Sequence, residues 1–409
     1  MLDSSASPEP IVKLVNSVCA FCRVWIHAAR MRALVASVLG LLRCRSLCMA
    51  SLGRALPGEP KHGIKRIDRL LSNRKMHRDV PRLYSAIAAT LLRDVPRPIL
   101  LLDWSKVTDG FHALTTSVAF EGRSIPLYSQ VHPEEKLGDH TVQKRYLNAL
   151  SEILPANCHP VLVFDAGFGQ NFYKAVAKHD GWHFVSRLRG NRLLCKEGTS
   201  SWLSCKEVRE RATTRAKEQG RWLVRKTRSK ESYRLVTYRK GISKKNKDSS
   251  SNGKWGSFST RNYKARALEP WLLVTSMSEG GSAYIVHLYT QRMQIEENFR
   301  DLKNHRFGWS LRDVRSGSSQ RLEVLLLIAT LAMFVILLIG HMAEQLGHHR
   351  RYQSNTVSDR RVLSFFVLGN MILERQDTSW ISPKKLHGQL CVVQEVFRQI
   401  SRLQPFDII

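Results

Sequence analysis

At 409 residues the chain is longer than one ordinary compact domain and long enough for each of several units to bury its own core. It carries 64 Lys and Arg against 34 Asp and Glu, a formal charge of +30 and a pI near 10.2, which excludes an acidic solvating chain. Such a balance favours a polyanionic partner, nucleic acid first and an anionic membrane or a ribosome behind it, while eight scattered cysteines without a signal-peptide pattern exclude a disulfide scaffold and fit a reducing cytoplasm.

Residues 1–95 read as helices, with apolar periodicity over Ile11 to Ala29 and Met31 to Leu42. Cys19 and Cys22, then Cys44 and Cys48, have a spacing that superficially suits zinc. Both pairs lie in apolar, helix-patterned stretches and read better as core thiols. From Lys61 to His77, Ile64, Ile67, Leu70 and Leu71 form an apolar stripe, with Lys61, Lys65, Arg66, Arg69 and Arg74 mostly off it. Such a helix is either a solvated charged face or a surface that lies along DNA, and the basic excess of the chain favours DNA.

From Pro98 the pattern changes. PILLLDWSKV is an apolar run that predicts a strand ending in Asp103, and two strand-like runs flank Gly122-Arg123. A helix over Thr141 to Leu154, a buried strand in HPVLVFDAGFG ending at Asp165, a helix over Asn171 to Lys178 and a strand over 182–189 complete a βββαβαβ order for 96–190. Residues 187–266 hold twenty-four Lys or Arg against six Asp or Glu. With strand-like RWLVRKTR and SYRLVTYRK, this predicts a basic β-rich insertion over 191–269, with a flexible loop near 241–257. EPWLLVTSM returns to a buried strand, a single long helix is expected over 282–304, and residues 270–345 complete the core. Arg312, Arg315 and Ser316 fall in a basic loop that follows. The 17-residue apolar run Val324 to Gly340 would span roughly 25 Å as a helix, short of a ~30 Å bilayer core, and is expected inside a domain. Residues 346–409 read as a helical C-terminal region that can serve dimerisation.

An Asp closing a strand is usually a turn or a cap, so Asp103 and Asp165 say little separately, although strand ends in an α/β sheet can converge on one crevice. Tyr289, Arg292, Glu296 and Lys303 stand at i, i+3, i+7 and i+14, the spacing of one helical stripe. Read blandly, this is a surface helix with an Arg–Glu pair. The same string, Tyr-x2-Arg-x3-Glu-x6-Lys, resembles the signature of the bacterial DDE insertion-sequence transposases, the cut-and-paste enzymes of the tetracycline- and kanamycin-resistance composite transposons. KRIDRLL near 65, LLDWS at 101, GRSIPLY at 122, FDAGF at 164, SRLRG at 186, EPWLLVTS at 269 and QIEENFRDLK at 294 resemble that family in the same order, over roughly residues 40–370.

The resemblance implies an α/β fold: an RNase H-like core with a mixed five-stranded sheet, interrupted by a basic β-rich insertion and flanked by an all-α N-terminal DNA-binding region and a helical C-terminal region. It implies Asp103, Asp165 and Glu296 as catalytic residues and ligands of Mg²⁺, two ions, with Mn²⁺ able to substitute. Three carboxylates suit phosphodiester displacement, because paired divalent ions clamp the attacking and leaving oxygens. Tyr289, Arg292, Lys303 and Arg187 would hold phosphates, with Arg189, Arg300, Arg312, Arg315, Lys65, Arg66 and Arg69 as further DNA contacts. Trp271 would either stack on a displaced base or fill a strand position, and Trp255 is less suited to stacking. The implied partners are double-stranded DNA, as terminal inverted repeats and target, and a second copy of the chain in a homodimer, with no membrane and no small-molecule substrate. A catalytically inactive DNA-binding regulator and an RNase H-like nuclease acting on RNA are the competing readings.

Overall fold

The computed structural model describes residues 9–20, 22, 26–225, 231–241, 269–381, 388 and 395. Five helices come first: α1 (Glu9–Ala20), α2 (Ala28–Cys44), α3 (Met49–Arg54), α4 (Pro60–Leu71) and α5 (Arg74–Leu91). Strands β1 (Ile99–Thr108), β2 (Phe111–Phe120) and β3 (Arg123–Pro133) follow, then α6 (His140–Ile153), β4 (Val161–Phe164), α7 (Gln170–Val176) and β5 (His183–Arg187). This is the βββαβαβ order expected of residues 96–190. Beyond it lie β6 (Leu193–Lys196), β7 (Trp202–Ser204), α8 (Cys205–Glu210), β8 (Lys217–Arg225), β9 (Ser232–Tyr238) and β10 (Trp271–Thr275). The chain continues with α9 (Ser282–Thr290), α10 (Met293–Lys303), α11 (Ser319–Gln345) and α12 (Phe365–Glu374). Two compact units result, one drawn from Met1–His159 and Met293–Arg402, the other from Pro160–Arg292.

In the first unit, α4 begins with Pro at its first position, where no amide hydrogen is needed, and α5 is capped by Asn73, whose Oδ1 accepts from the N–H groups of Lys75 and Met76. Ile67, Leu70 and Leu71 point into the core, while Lys61, Lys65, Arg66, Arg69 and Arg74 are exposed. Helices α3 and α4 meet backbone to backbone: a Cβ on Gly63 would lie 2.1 Å from the Gly53 carbonyl oxygen. Only glycine permits that approach. Cys19 and Cys22 are buried, as core thiols should be, whereas Cys44 and Cys48 are only half-buried at the end of α2 and the start of α3.

Strands β1, β2 and β3 form an antiparallel meander with β2 in the middle. Asp103 does not end its strand as expected. It sits in the middle of β1, because pairing with β2 continues through Lys106 opposite His112 and Thr108 opposite Phe111 after the apolar run has stopped. Helix α11 is long and apolar enough to cross a membrane by composition alone, yet 94% of its apolar window is buried against protein, including α2, α5, α12 and β3. The expectation of a helix inside a domain describes it. Helices α11 and α12 cross at Gly340 and Gly369, where a Cβ on Gly369 would lie 2.4 Å from the Ile336 carbonyl oxygen.

In the second unit β4 and β5 are parallel, and the other strands continue antiparallel from β5 in the order β10, β9, β8, β6, β7. The strands expected within 191–269 therefore extend the sheet of β5 and β10. The expected loop at 241–257, with Trp255, lies outside the described residues except for Gly241, as do most positions beyond 381 in the C-terminal region.

The single helix expected over 282–304 is two. At the junction the Gln291 and Arg292 amides bond to Leu288 and Tyr289, three residues back, and the Thr290 hydroxyl bonds to the His287 carbonyl. This tightened turn interrupts the α-helical ladder. The four-residue stripe is thereby divided: Tyr289 belongs to α9, Arg292 to the turn, and Glu296 and Lys303 to α10.

Near the start of α11, Glu323 accepts a hydrogen bond from the Val131 amide of β3 at 3.0 Å, and burial pushes its carboxyl up to about 7. The raised value means that the folded state prefers the protonated form. Stability is full below the ordinary carboxylate range and falls as the pH rises through about 7. Glu323→Gln is expected to remove this loss and to raise stability at pH 8 by about 1–3 kcal/mol. Chemical denaturation at pH 5 and pH 8 measures it; an equal effect of the substitution at both values would refute the assignment.

Candidate active site

In the first unit, the alternation of β1 places Asp103 and Ser105 on one side of the strand. Helix α10 buries Ile295, Asn298, Phe299 and Leu302, and its remaining surface turns Glu296, Arg300 and Lys303 toward Asp103. These side chains line one open cleft of about 560 Å³, with Arg312 on its wall. Arg312 belongs to the short 3-10 turn Leu311–Asp313, and both it and Arg315 are exposed. Lys303 Nζ donates to Ser105 Oγ at 2.6 Å and lies 5.1 Å from the centre of the Phe299 ring. Burial lowers the Lys303 ammonium to about 8; Arg312 pushes the same way, and Asp103 opposes them.

Two ties fix α10 to the β2–β3 hairpin. Gln294 Oε1 accepts the Phe120 amide at 3.0 Å, and Arg123 Nε donates to the Asp301 carboxylate at 2.5 Å. Burial raises the Asp301 carboxyl while Arg123 holds it down. Arg123 lies in the GRSIPLY run and Gln294 and Asp301 in the QIEENFRDLK run, but nothing in the sequence announced which residues they would pair with.

In the second unit, Asp165 follows β4 directly. Its Oδ1 accepts the Gly167 amide at 2.8 Å and its carbonyl oxygen accepts from Ser186 Oγ. A Cβ at position 167 would stand 3.0 Å from the same Oδ1, so glycine leaves the carboxylate its room. Arg187, at the end of β5 and only 7% exposed, donates to the Glu269 carboxylate at 2.9 Å and to the carbonyls of Glu269 and Pro270. Arg189 meets the same carboxylate at 2.8 Å, and Arg209 meets it as well. Burial pulls Arg187 down to about 10, helped by the charges of Arg189, Arg209 and Arg292. Three guanidinium groups thus share one counter-ion. Trp271, half-buried, packs edge to face with Tyr289 at 4.9 Å and lies 5.7 Å from Tyr238. The Arg292 guanidinium lies 5.7 Å over the Tyr289 ring, whose hydroxyl is raised by burial and lowered by Arg292 and Arg187.

Each unit therefore gathers part of the expected set: Asp103, Glu296, Arg300, Lys303 and Arg312 in the first, Asp165, Arg187, Arg189, Trp271, Tyr289 and Arg292 in the second. Lys65, Arg66 and Arg69 stand apart on α4, and Arg66 donates to the Arg32 carbonyl. Among the described residues no three His, Cys, Asp or Glu side chains form a metal cage. Two carboxylates facing an open, cation-walled cleft still fit a hard divalent ion, because Mg²⁺ commonly takes one or two carboxylates and completes its shell with water and substrate phosphate.

Residues 96–333 match the family described as Transposase DDE domain, a stretch that runs from just before β1 into α11. The chain belongs to this family. No curated protein matches it. DDE transposases act on DNA and generally use divalent metal ions, and the mixed strands and helices of this chain are consistent with their RNase H-like fold. The match takes in part of the first unit, the described part of the second and every residue of the cleft.

Within this DDE transposase, Ser105→Ala removes an acceptor that favours the charged lysine. Lys303 is expected to titrate below about 8 in the variant, with stability changed by only about 1 kcal/mol. NMR titration of reductively methylated protein measures the shift, and an unchanged or higher value would contradict the contact.

Proposed function

We propose that the chain is a cut-and-paste DNA transposase of the insertion-sequence branch that carries the Tyr289, Arg292, Glu296, Lys303 signature, with Asp103, Asp165 and Glu296 as its catalytic carboxylates. The observation that carries the reading is the cleft in which Asp103 and Glu296 share a wall with Lys303, Arg300 and Arg312: hard oxygen donors beside cations, in a chain of the DDE family. That pairing of charges suits a phosphodiester near a divalent ion and suits few other ligands.

In this reading Asp103 and Glu296 hold Mg²⁺, as two ions with Asp165 and with Mn²⁺ as substitute. The bound ions supply charge neutralisation at the attacking and leaving oxygens of the phosphate. Lys303, kept in place by Ser105 and Phe299, offsets the charge of the scissile phosphate. Arg187 and Arg189, pre-assembled on Glu269, together with Arg292 and Tyr289, bind backbone phosphates. Trp271, supported by two tyrosine rings, stacks on a base displaced while the freed 3′-hydroxyl attacks a phosphodiester of the opposite strand, closing a hairpin and releasing the flanking DNA with its own 3′-hydroxyl. The exposed Lys65, Arg66 and Arg69 of α4 track the duplex at the element's end, and Arg315 adds a contact beyond the cleft. The working form is a homodimer on two terminal inverted repeats, acting on DNA in the cytoplasm.

The test is cleavage of a linear duplex that carries the element's own flanked ends, in Mg²⁺ or Ca²⁺, read on denaturing gels. Wild type is expected to give nicks and hairpin-length strands in Mg²⁺ only. Glu296→Ala and Asp165→Ala are expected to bind the duplex as before and to cut slower by on the order of 10³-fold or more. Tight binding with no metal-dependent cutting by any form would make the protein a DNA-binding regulator instead.

A further inference from the structure

The turn that follows α10 holds an aromatic ring in the open. Asn304 Oδ1 accepts the amides of Arg306 at 2.8 Å and Phe307 at 2.7 Å. On the far side of the ring's backbone, the Trp309 amide bonds to the Asp301 carbonyl and the Ser310 amide to that of Asn304, with Ser310 at a left-handed φ of 51°. Gly308 has no room for a side chain, since a Cβ there would lie 1.8 Å from the Asp301 carbonyl oxygen. The indole of Trp309 is fully buried and packs on Phe366 at 5.2 Å. The backbone is thus pinned before and after Phe307 and fastened to the last turn of the helix that bears Glu296.

Phe307 itself is 63% exposed, more than any other large apolar side chain among the described residues. Packing within the fold does not explain a phenylalanine that a rigid turn keeps out of the core. The Arg306 guanidinium lies 5.1 Å over its ring, and Arg306, Asn304 and His305 line the cleft that contains Asp103 and Glu296. Ring, guanidinium and the Glu296 carboxylate stand on one continuous segment, α10 and the turn after it, with Asp103 of β1 in the same cleft.

We propose that Phe307 is a stacking site for an unpaired nucleobase of the DNA strand whose phosphate enters the Asp103–Glu296 cleft. This rests on the proposed transposase function. Every base presents a π face, so an aromatic ring fixed at the edge of a cation-walled cleft receives a base without reading its identity. Arg306 serves both partners, lying against the ring and meeting the neighbouring phosphate. The ring needs a base freed from its partner, so its contribution falls on ends, flaps and distorted duplex and not on continuous duplex. It differs from Trp271, which is half-buried between two tyrosine rings in the second unit.

Full-length wild type, Phe307→Ala and Phe307→Trp are compared on end duplexes with a fluorescent adenine analogue placed at successive positions beside the cleavage point. Wild type and Phe307→Trp are expected to quench the analogue at one shared position. Phe307→Ala is expected to lose that quenching and to bind end duplexes with unpaired flanks more weakly, by on the order of 5- to 100-fold. Its melting temperature and its affinity for continuous duplex are expected to stay unchanged, because the ring is largely exposed and its contact with Arg306 is a surface one. Equal quenching and affinity in Phe307→Ala would overturn the site and leave the transposase reading standing, and so would a loss of dimer with DNA binding intact. Absence of DNA binding by wild type would overturn the transposase function and this site with it.

Discussion

Helix α11 has no wet face, and the arrangement of the first unit follows from the need to cover it. A helix whose stretch from Val324 to Gly340 is apolar on every side but for Thr330 cannot stand at a surface, so elements from both ends of the chain close around it. The N-terminal helices supply one side, the β-meander another and α12 a third, with glycines at 340 and 369 letting the last pair approach to backbone contact. The position of α10 is set by that same meander, through Gln294 and Asp301, so the carboxylate of Glu296 inherits its place from the packing around α11.

The electrostatics of the two units follow one pattern. Positive charge is gathered close to few carboxylates: Lys303 and Arg312 stand in one cleft with Asp103 and Glu296, where Arg300 pairs with Glu297, and three arginines share Glu269. Burial makes this costly, as the depressed values of Lys303 and Arg187 record. A protein selected for stability alone would replace such clusters with apolar contacts. Their presence in a chain of the DDE transposase family is consistent with a polyanion completing them.

Much of this was legible in the sequence, because strand burial and helix periodicity are local. The βββαβαβ order, the position of Asp165 after a four-residue apolar strand, the basic outer face of α4 and the buried nature of α11 could all be read from residue spacing. Local reading failed where pairing partners or backbone geometry decided the outcome. Strand β1 runs past Asp103 because β2 supplies hydrogen bonds, a fact carried by residues on the other side of a turn. The spacing of Tyr289, Arg292, Glu296 and Lys303 suits one helix, yet a tightened turn at Gln291 divides it. The Arg123–Asp301 tie joins residues 178 apart, and no periodicity announces such a contact.

The first unit is discontinuous: Pro160–Arg292 is inserted between its two halves. During synthesis, at about 5–20 residues per second, α11 emerges roughly 10–40 s after His159. Until then the apolar faces of α2, α5 and β3 lack their common partner. Helix α4 packs mainly on α3 and α2, which are made before it, and gains its contacts with α11 once the long helix has arrived. A ribosomal product that stops short of α11 lacks the packing that completes the surface bearing Lys65, Arg66 and Arg69. A chain with that packing complete has already been translated past Asp103, Asp165 and Glu296.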